Sequence, residues 1–137
     1  GVIIYLDQEG RGTGCAGKLQ QLQNMFTWKD GKIVQARDEN GKRIDTDTAY
    51  KKAGYPSEVR RFEFAGVMLK ALGINSVRLL TNNPLKINGV RAAGIVVTPT
   101  SIHIKPKNII IASDLRSKAE NLGHNIPPEK YQLSTSE

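Results

Sequence analysis

The amino-acid sequence predicts an α/β fold, a layered domain with a mixed β-sheet flanked by helices, and three observations carry that reading. Apolar runs of strand length recur at residues 2–6, 76–80 and 95–97. Between them the apolar spacing turns helical, with Leu19, Leu22 and Phe26 in one stretch and Phe62, Ala65, Leu69 and Leu72 in another. Gly73, Gly94 and Gly123 close helical stretches, where the left-handed residue past a helix end suits glycine. Strand and helix alternate, the pattern of helices layered on a sheet.

In chain order, Val2-Ile3-Ile4-Tyr5-Leu6 reads as a strand covered on both faces. The chain opens on it at Gly1, so a fragment, a processed chain or one half of a split protein is expected. The glycines of 10–14 break the run, and a helix is expected from Cys15 to Phe26. Residues 28–44 read as a small exposed hairpin turning at Asn40-Gly41, with a disordered loop as the alternative. Pro56-Ser57 starts a helix with Ser57 as N-cap and Glu58 in its first turn, running to Gly73. Ser76–Leu80 is a buried strand, Asn83-Pro84 opens a helix with Pro84 in its first turn, and Gly94 closes it. Strands at 95–97 and 108–112, a helix over 113–122 and a polar tail over 125–137 complete the reading.

At 137 residues one domain is expected, and 39% hydrophobic residues suffice for a core. No apolar run reaches membrane-spanning length and no signal peptide is visible. The single Cys15 cannot form an internal disulfide, which fits the cytoplasm, and cannot by itself build a cysteine-rich zinc site. His103 and His124 stand far apart in no ligand spacing. A net charge of +7 points to an anionic ligand, a nucleotide or a nucleic acid. Only Lys51-Lys52 and Arg60-Arg61 cluster, and 6% aromatics are too few for base-stacking platforms, which disfavours nucleic acid.

Two short segments carry the chemistry. Gln8-Glu9-Gly10-Arg11-Gly12-Thr13-Gly14 joins a strand-like run to a helix-like one. Its glycines let a backbone approach a phosphate and offer N–H groups, with Lys18 nearby and a helix start behind. Such a turn alone is a weak signal, since most only connect elements. Leu79-Leu80-Thr81-Asn82-Asn83-Pro84-Leu85-Lys86 lies at a strand's C-terminal end, where open α/β sheets bind ligands. There Thr81 can bond a base or ribose and Lys86 a phosphate; the bland reading is a helix start and a surface lysine. Glu58 and Arg60 read either as a solvated pair or as a proton acceptor beside a phosphate-binding guanidinium.

These segments resemble the GTP cyclohydrolase II family. The ordered matches are Gln8–Arg11, Asp45-Thr46, Arg78–Lys86 and the stretch Ser117–His124, spanning Val2 to His124 apart from 28–44. The resemblance implies a GTP cyclohydrolase II-like domain over 1–124, with an inserted hairpin at 28–44 and the tail at 125–137. It implies a hydrolase that opens the imidazole ring of GTP or a related nucleotide, releasing formate and pyrophosphate, as in riboflavin biosynthesis. By position, Glu9, Gly10, Arg11, Thr46, Thr81 and Lys86 contact the nucleotide, while Glu58 and Arg60 are catalytic. Glu58 falls on the family's aspartate proton acceptor. Arg60 falls on an arginine usually assigned as a nucleophile, but a guanidinium stays protonated and suits charge stabilisation. Zinc and magnesium, a homodimer and a cytoplasmic location are implied as well.

The pattern also departs. The family's zinc-binding cysteines should precede Gly1, so an N-terminal piece carrying zinc is the expected partner. A tyrosine expected in the first helix is Leu22, an asparagine is Tyr50, and the aspartate is Glu58. Residues 28–44 add about fifteen positions to the usual connection. These departures motivate the alternative, a non-catalytic nucleotide-binding subunit lacking the zinc site.

Overall fold

The computed structural model describes residues 1–132 and bears out the α/β class. Its elements are α1 Gly14–Met25, β1 Phe26–Lys29, β2 Lys32–Gln35, α2 Thr46–Lys52, α3 Glu63–Ala71, β3 Ser76–Leu80, α4 Pro84–Ala92, β4 Val96–Thr100 and α5 Ile109–Leu122, with single 3-10 turns at Gly10–Gly12 and Pro128–Lys130. The antiparallel pair β1–β2 and the parallel pair β3–β4 form two sheets rather than one mixed sheet. Two compact units result: Asp7–Arg60, and Gly1–Leu6 joined to the chain from Arg61 onward.

In the Asp7–Arg60 unit, α1 packs on α2 over a small core of Met25, Ile44 and Ala49, with Phe26 and Ala36 against it. The expected helix is present, but its buried face is Gly17, Gln21 and Met25 rather than Leu19, Leu22 and Phe26. Leu19 and Leu22 face solvent because Gly17 sets which side approaches its neighbours: a Cβ there would sit 2.2 Å from Thr13 Oγ1. Gln21 fills the next buried position by accepting from Lys18 Nζ at 3.0 Å and donating to Met25 Sδ at 3.1 Å. The hairpin turns at Asp30-Gly31, not Asn40-Gly41, because both Asp30 (φ 51°) and Gly31 (φ 72°) take the left-handed conformation that a two-residue hairpin loop requires. Asn40-Gly41 makes a second loop, closed by the Arg37–Arg43 bridge and by Asp38 Oδ1 accepting from the N–H groups of Asn40 and Lys42. Helix α2 follows from Asp45, whose carboxylate accepts from Thr48 N at 2.8 Å as a side-chain cap.

No helix starts at Ser57; α3 begins at Glu63. Residues 57–60 are instead a non-helical strap pinned on Arg11, whose carbonyl accepts from Val59 N at 3.0 Å and whose guanidinium donates to Ser57 O at 3.1 Å. Those two long-range bonds outweigh the local N-cap preference of Ser57.

In the other unit, β3, α4 and β4 form a strand–helix–strand element in parallel register from Ser76↔Val96 to Leu80↔Thr100. Its core is Leu69, Val90, Ile95 and Val97, with Ile4, Ile74, Val77 and Leu79 packed against it. The 2–6 run makes no strand: Ile4 reaches the core while Ile3 is 98% exposed, and no described strand pairs with it. The expected strand at 108–112 is the first turn of α5. Asn108 Oδ1 accepts from Ile110 N and Ile111 N, and that cap overrides the β-branched run. Leu72 is exposed, so the α3 stripe is Phe62, Ala65 and Leu69. The tail is ordered as far as it is described: Ile126 is buried and Asn125 N donates to Asn82 O at 2.8 Å, whereas 133–137 lie outside the described residues.

Helices α3 and α4 meet at Gly66, where a Cβ would lie 2.5 Å from Ala93 Cβ and 2.9 Å from Val90 O. Gly66→Ala gains about 1 kcal/mol of helix propensity and meets overpacking of about 1–3 kcal/mol. We expect a net loss, read as a lower urea midpoint at unchanged m-value, and partial recovery in Gly66→Ala/Ala93→Gly.

Candidate functional site

The first turn follows from its glycines. Gly10 (φ 57°), Arg11 (φ 55°) and Gly12 (φ 90°) lie in succession in the left-handed region. For Arg11 this conformation is sterically disfavoured, and such strain persists where surrounding bonds over-determine it. The bonds here are the two that tie Arg11 to the strap and the turn's own ladder. Gly12 N donates to Glu9 O at 2.9 Å, Thr13 N to Gly10 O at 3.1 Å and Gly14 N to Glu9 O at 3.0 Å, and Gly10 N reaches Glu9 Oε2 at 3.3 Å. This corrects the expectation that the turn offers its N–H groups to a phosphate: these amides already have internal acceptors. What the turn presents outward is side-chain charge.

Arg11 shares the cleft with Arg60. Arg60 Nε donates to Glu58 Oε1 at 2.7 Å, its Nη2 pairs with Glu58 Oε2, and its backbone N–H reaches Oε1 at 3.1 Å. The Glu58 side chain is 7% exposed and that of Arg60 29%. The carboxylate therefore serves as a buried clamp for the guanidinium rather than standing at a helix N-terminus. Together Gln8, Glu9, Gly10, Lys18, Thr46 and Tyr50 line, with Arg11 and Arg60, a cleft of about 200 Å³. Complete ligand pockets usually run to roughly 300–1,000 Å³, so this cleft suits the charged part of a ligand rather than a whole one. With Arg60 matched by Glu58, Arg11 and Lys18 face the cleft against Glu9, so the balance favours an anion.

Tyr50 was not read from the sequence as a site residue. It is 1% exposed, and Arg11 Cζ sits 5.4 Å from its ring centroid. Burial pushes its hydroxyl above the ordinary tyrosine pKa, with the positive charges of Arg11 and Arg60 pulling back. The one available signal was the tyrosine standing where the resemblance expected asparagine.

Of the expected site residues, the structure brings Glu9, Gly10, Arg11, Thr46 and Arg60 to this cleft, with Glu58 behind Arg60. Thr81 and Lys86 belong to the other unit. Thr81 is buried, donates its N–H to Thr100 O at 2.9 Å and accepts from Asn83 N on Oγ1 at 3.1 Å. Asn83 caps α4 through Leu85 N at 2.9 Å. Asn82 bonds both N–H and C=O of Ile102, accepting from Ile102 N at 2.8 Å. Lys86 Nζ lies 5.7 Å from the centroid of the Phe62 ring. Structural bonds thus account for the two asparagines. Among the described residues no three His, Cys, Asp or Glu side chains gather as a metal site, and no helix is long and apolar enough to cross a membrane.

The strained turn brings Arg11, and the strap Arg60, to one cleft of an α/β chain. The GTP cyclohydrolase II family model matches residues 1–101, and the chain belongs to that family. It is 41% identical over 129 residues to GTP cyclohydrolase-2 of Psychromonas ingrahamii, covering 92% of this chain and 56% of that protein. It is 36% identical over 129 residues to GTP cyclohydrolase-2 of Xylella fastidiosa strain 9a5c, covering 92% of this chain and 28% of that protein. Riboflavin biosynthesis protein RibBA of Bacillus mycoides is 36% identical over 127 residues, covering 90% and 28%. The chain thus spans just over half of the first relative and just over a quarter of the other two.

Proposed function

We propose that this chain binds the phosphate side of GTP at the Arg11–Arg60 cleft, as part of a hydrolase that opens the imidazole ring with release of formate and pyrophosphate. The observation that carries the reading is the pair of guanidinium groups held at one cleft by a left-handed turn and a buried carboxylate. Fixed guanidinium forks suit phosphate oxygens and need no reorganisation when charge develops on a leaving pyrophosphate. Glu9, Gly10, Lys18 and Thr46 complete the wall of the phosphate site, and Thr81 and Lys86 are nucleotide contacts of the other unit. Magnesium bound with the nucleotide would neutralise the pyrophosphate, a homodimer is the assembled form, and an exposed free Cys15 fits a reducing cytoplasm. The described residues do not supply a zinc ligand set, so no step at the guanine ring is assigned to them.

Glu58 favours a second reading, nucleotide binding without turnover. Both of its oxygens already bond Arg60, so a proton-acceptor role requires that pair to open.

Calorimetric titration of the chain with GTP and magnesium, with inorganic pyrophosphate and with guanosine tests the site. GTP and pyrophosphate should bind, and affinity should fall with salt; guanosine binding as tightly as GTP would overturn the phosphate-side assignment. Formate release from bound GTP supports the hydrolase, and binding with no formate released supports the second reading.

A further inference from the structure

We propose that Gln21 is a positioning residue for the anion cleft: its buried amide oxygen holds the Lys18 ammonium at the cleft wall without cancelling its charge. The inference rests on the phosphate-side reading above and deepens it, by naming what holds a second uncancelled cation beside Arg11.

Gln21 is 1% exposed, a place where an apolar residue fills space more simply, since a buried amide must have its polar atoms bonded. Both ends are bonded. Oε1 accepts from Lys18 Nζ at 3.0 Å, and Nε2 donates to Met25 Sδ at 3.1 Å. The bond to buried Met25 fixes the plane of the amide, and with it the direction of the oxygen. The Thr46 hydroxyl, on the cleft wall, lies 3.9 Å from the same sulfur. Lys18 stands three residues before Gln21 in α1, so the two share a helix face. The base of the lysine stem lies against the turn, where a Cβ on Gly10 would be 3.3 Å from Lys18 Cβ. Lys18 is thus held at both ends, by Gly10 at its Cβ and by Gln21 at its ammonium.

Without that bond the ammonium would turn to water. It sits in the N-terminal half of α1, where the helix dipole disfavours a cation, and it shares the cleft with Arg11 and Arg60. The tether offsets both effects. It also differs in kind from the clamp on Arg60. Glu58 fixes that guanidinium with a carboxylate and neutralises it. Gln21 fixes Lys18 with a neutral carbonyl, and among the described residues no carboxylate pairs with this ammonium. One accepted bond leaves two N–H donors for an oxyanion. Holding them in place beforehand removes the cost of ordering a long, flexible side chain when the anion binds.

Gln21→Met keeps the length and unbranched shape of the side chain and removes its amide. It should leave the urea midpoint close to wild type and weaken calorimetric affinity of the full chain for inorganic pyrophosphate about 3–10-fold. A double-mutant cycle separates a tether from a filler. Lys18→Met should weaken binding by itself, and adding Gln21→Met to it should change affinity by less than about 2-fold, because no ammonium is left to hold. Equal losses from Gln21→Met in both backgrounds would overturn the proposal, as would wild-type affinity in Gln21→Met alone. Relaxation of the lysine Nζ groups by NMR reads the tether on the wild-type chain, so the decision stands even if Gln21→Met fails to fold. The Lys18 ammonium should be more ordered than those of exposed Lys29 and Lys32, and equal mobility would overturn the proposal. A wild-type chain that binds neither pyrophosphate nor GTP would overturn the phosphate-side reading instead, and the Nζ relaxation would still decide whether Gln21 holds Lys18.

Discussion

Arg60→Ala should lower affinity for pyrophosphate and GTP by at least about 100-fold, the largest loss expected from any single side chain of the cleft. Two effects add. Each charge-assisted bond to a phosphate oxygen is worth about 1.5–3 kcal/mol. The substitution also leaves the Glu58 carboxylate, 7% exposed, without its guanidinium and beside the incoming anion. Removing one partner of a buried pair costs about 3–5 kcal/mol, and with Arg60 29% exposed the lower end applies. Stability should therefore fall together with binding. The two effects separate in Glu58→Gln/Arg60→Ala, which removes the stranded charge: most of the urea midpoint should return and the affinity should not. If the double variant binds like wild type, Arg60 serves only to neutralise Glu58 and is no phosphate ligand. Arg60→Lys should fall between, since an ammonium cannot hold Glu58 with a fork and offer a second edge.

The same pair shows what could be read from residues alone. That Glu58 and Arg60 act together was legible from their spacing. Their setting was not, because Ser57 and Glu58 form a good local helix start and only the contacts of Arg11, 46 residues away, hold 57–60 as a strap. Local rules served where the competing contacts are also local. β3 over Ser76–Leu80 and α4 behind Asn83-Pro84 follow from strand pattern, cap and proline within a few positions. They failed at α1, where the buried face is set by Gly17 against Thr13 and by Gln21 between Lys18 and Met25. Hydrophobic periodicity cannot see a glycine chosen for closeness or a buried glutamine with both ends bonded. At Ile109–Ile111 a β-branched run pointed to a strand, and one asparagine side chain turned it into a helix.

The cleft's glycines differed in legibility too. Those of the 10–14 turn were expected to serve a ligand through their N–H groups, and the structure gives two of them other tasks. Gly10 and Gly17 accommodate Thr13, while Gly12 lets the turn meet the strap. The matched family segment Thr81–Pro84 shows the same division, since its asparagines bond Ile102 and cap α4. A motif can mark a family because the fold requires it as well as because a ligand does.

Gly12→Ala is the sharpest test of the turn and strap as one device, because Gly14→Ala is a built-in control. Both glycines sit at positive φ, 90° and 76°, so alanine at either meets backbone strain of about 1–2 kcal/mol. At Gly14 a Cβ meets nothing within 4 Å. At Gly12 it would lie 2.9 Å from Val59 Cγ2 and 3.0 Å from both Val59 C and Arg60 N. Side-chain rotation cannot relieve contacts with backbone, so the strap must move. Moving it breaks the bond from Val59 N to Arg11 O and displaces the backbone of Arg60. Gly12→Ala should thus be less stable than Gly14→Ala by a further ~1–3 kcal/mol of overpacking, and it alone should lose most pyrophosphate affinity. Comparing urea midpoints and calorimetric affinities of the two variants reads both effects. Equal losses in the pair would mean that backbone strain is the whole cost and that the strap does not position Arg60. A larger loss in Gly12→Ala, in affinity as well as stability, would mean that the left-handed turn and the strap act together to hold the two guanidinium groups at one cleft.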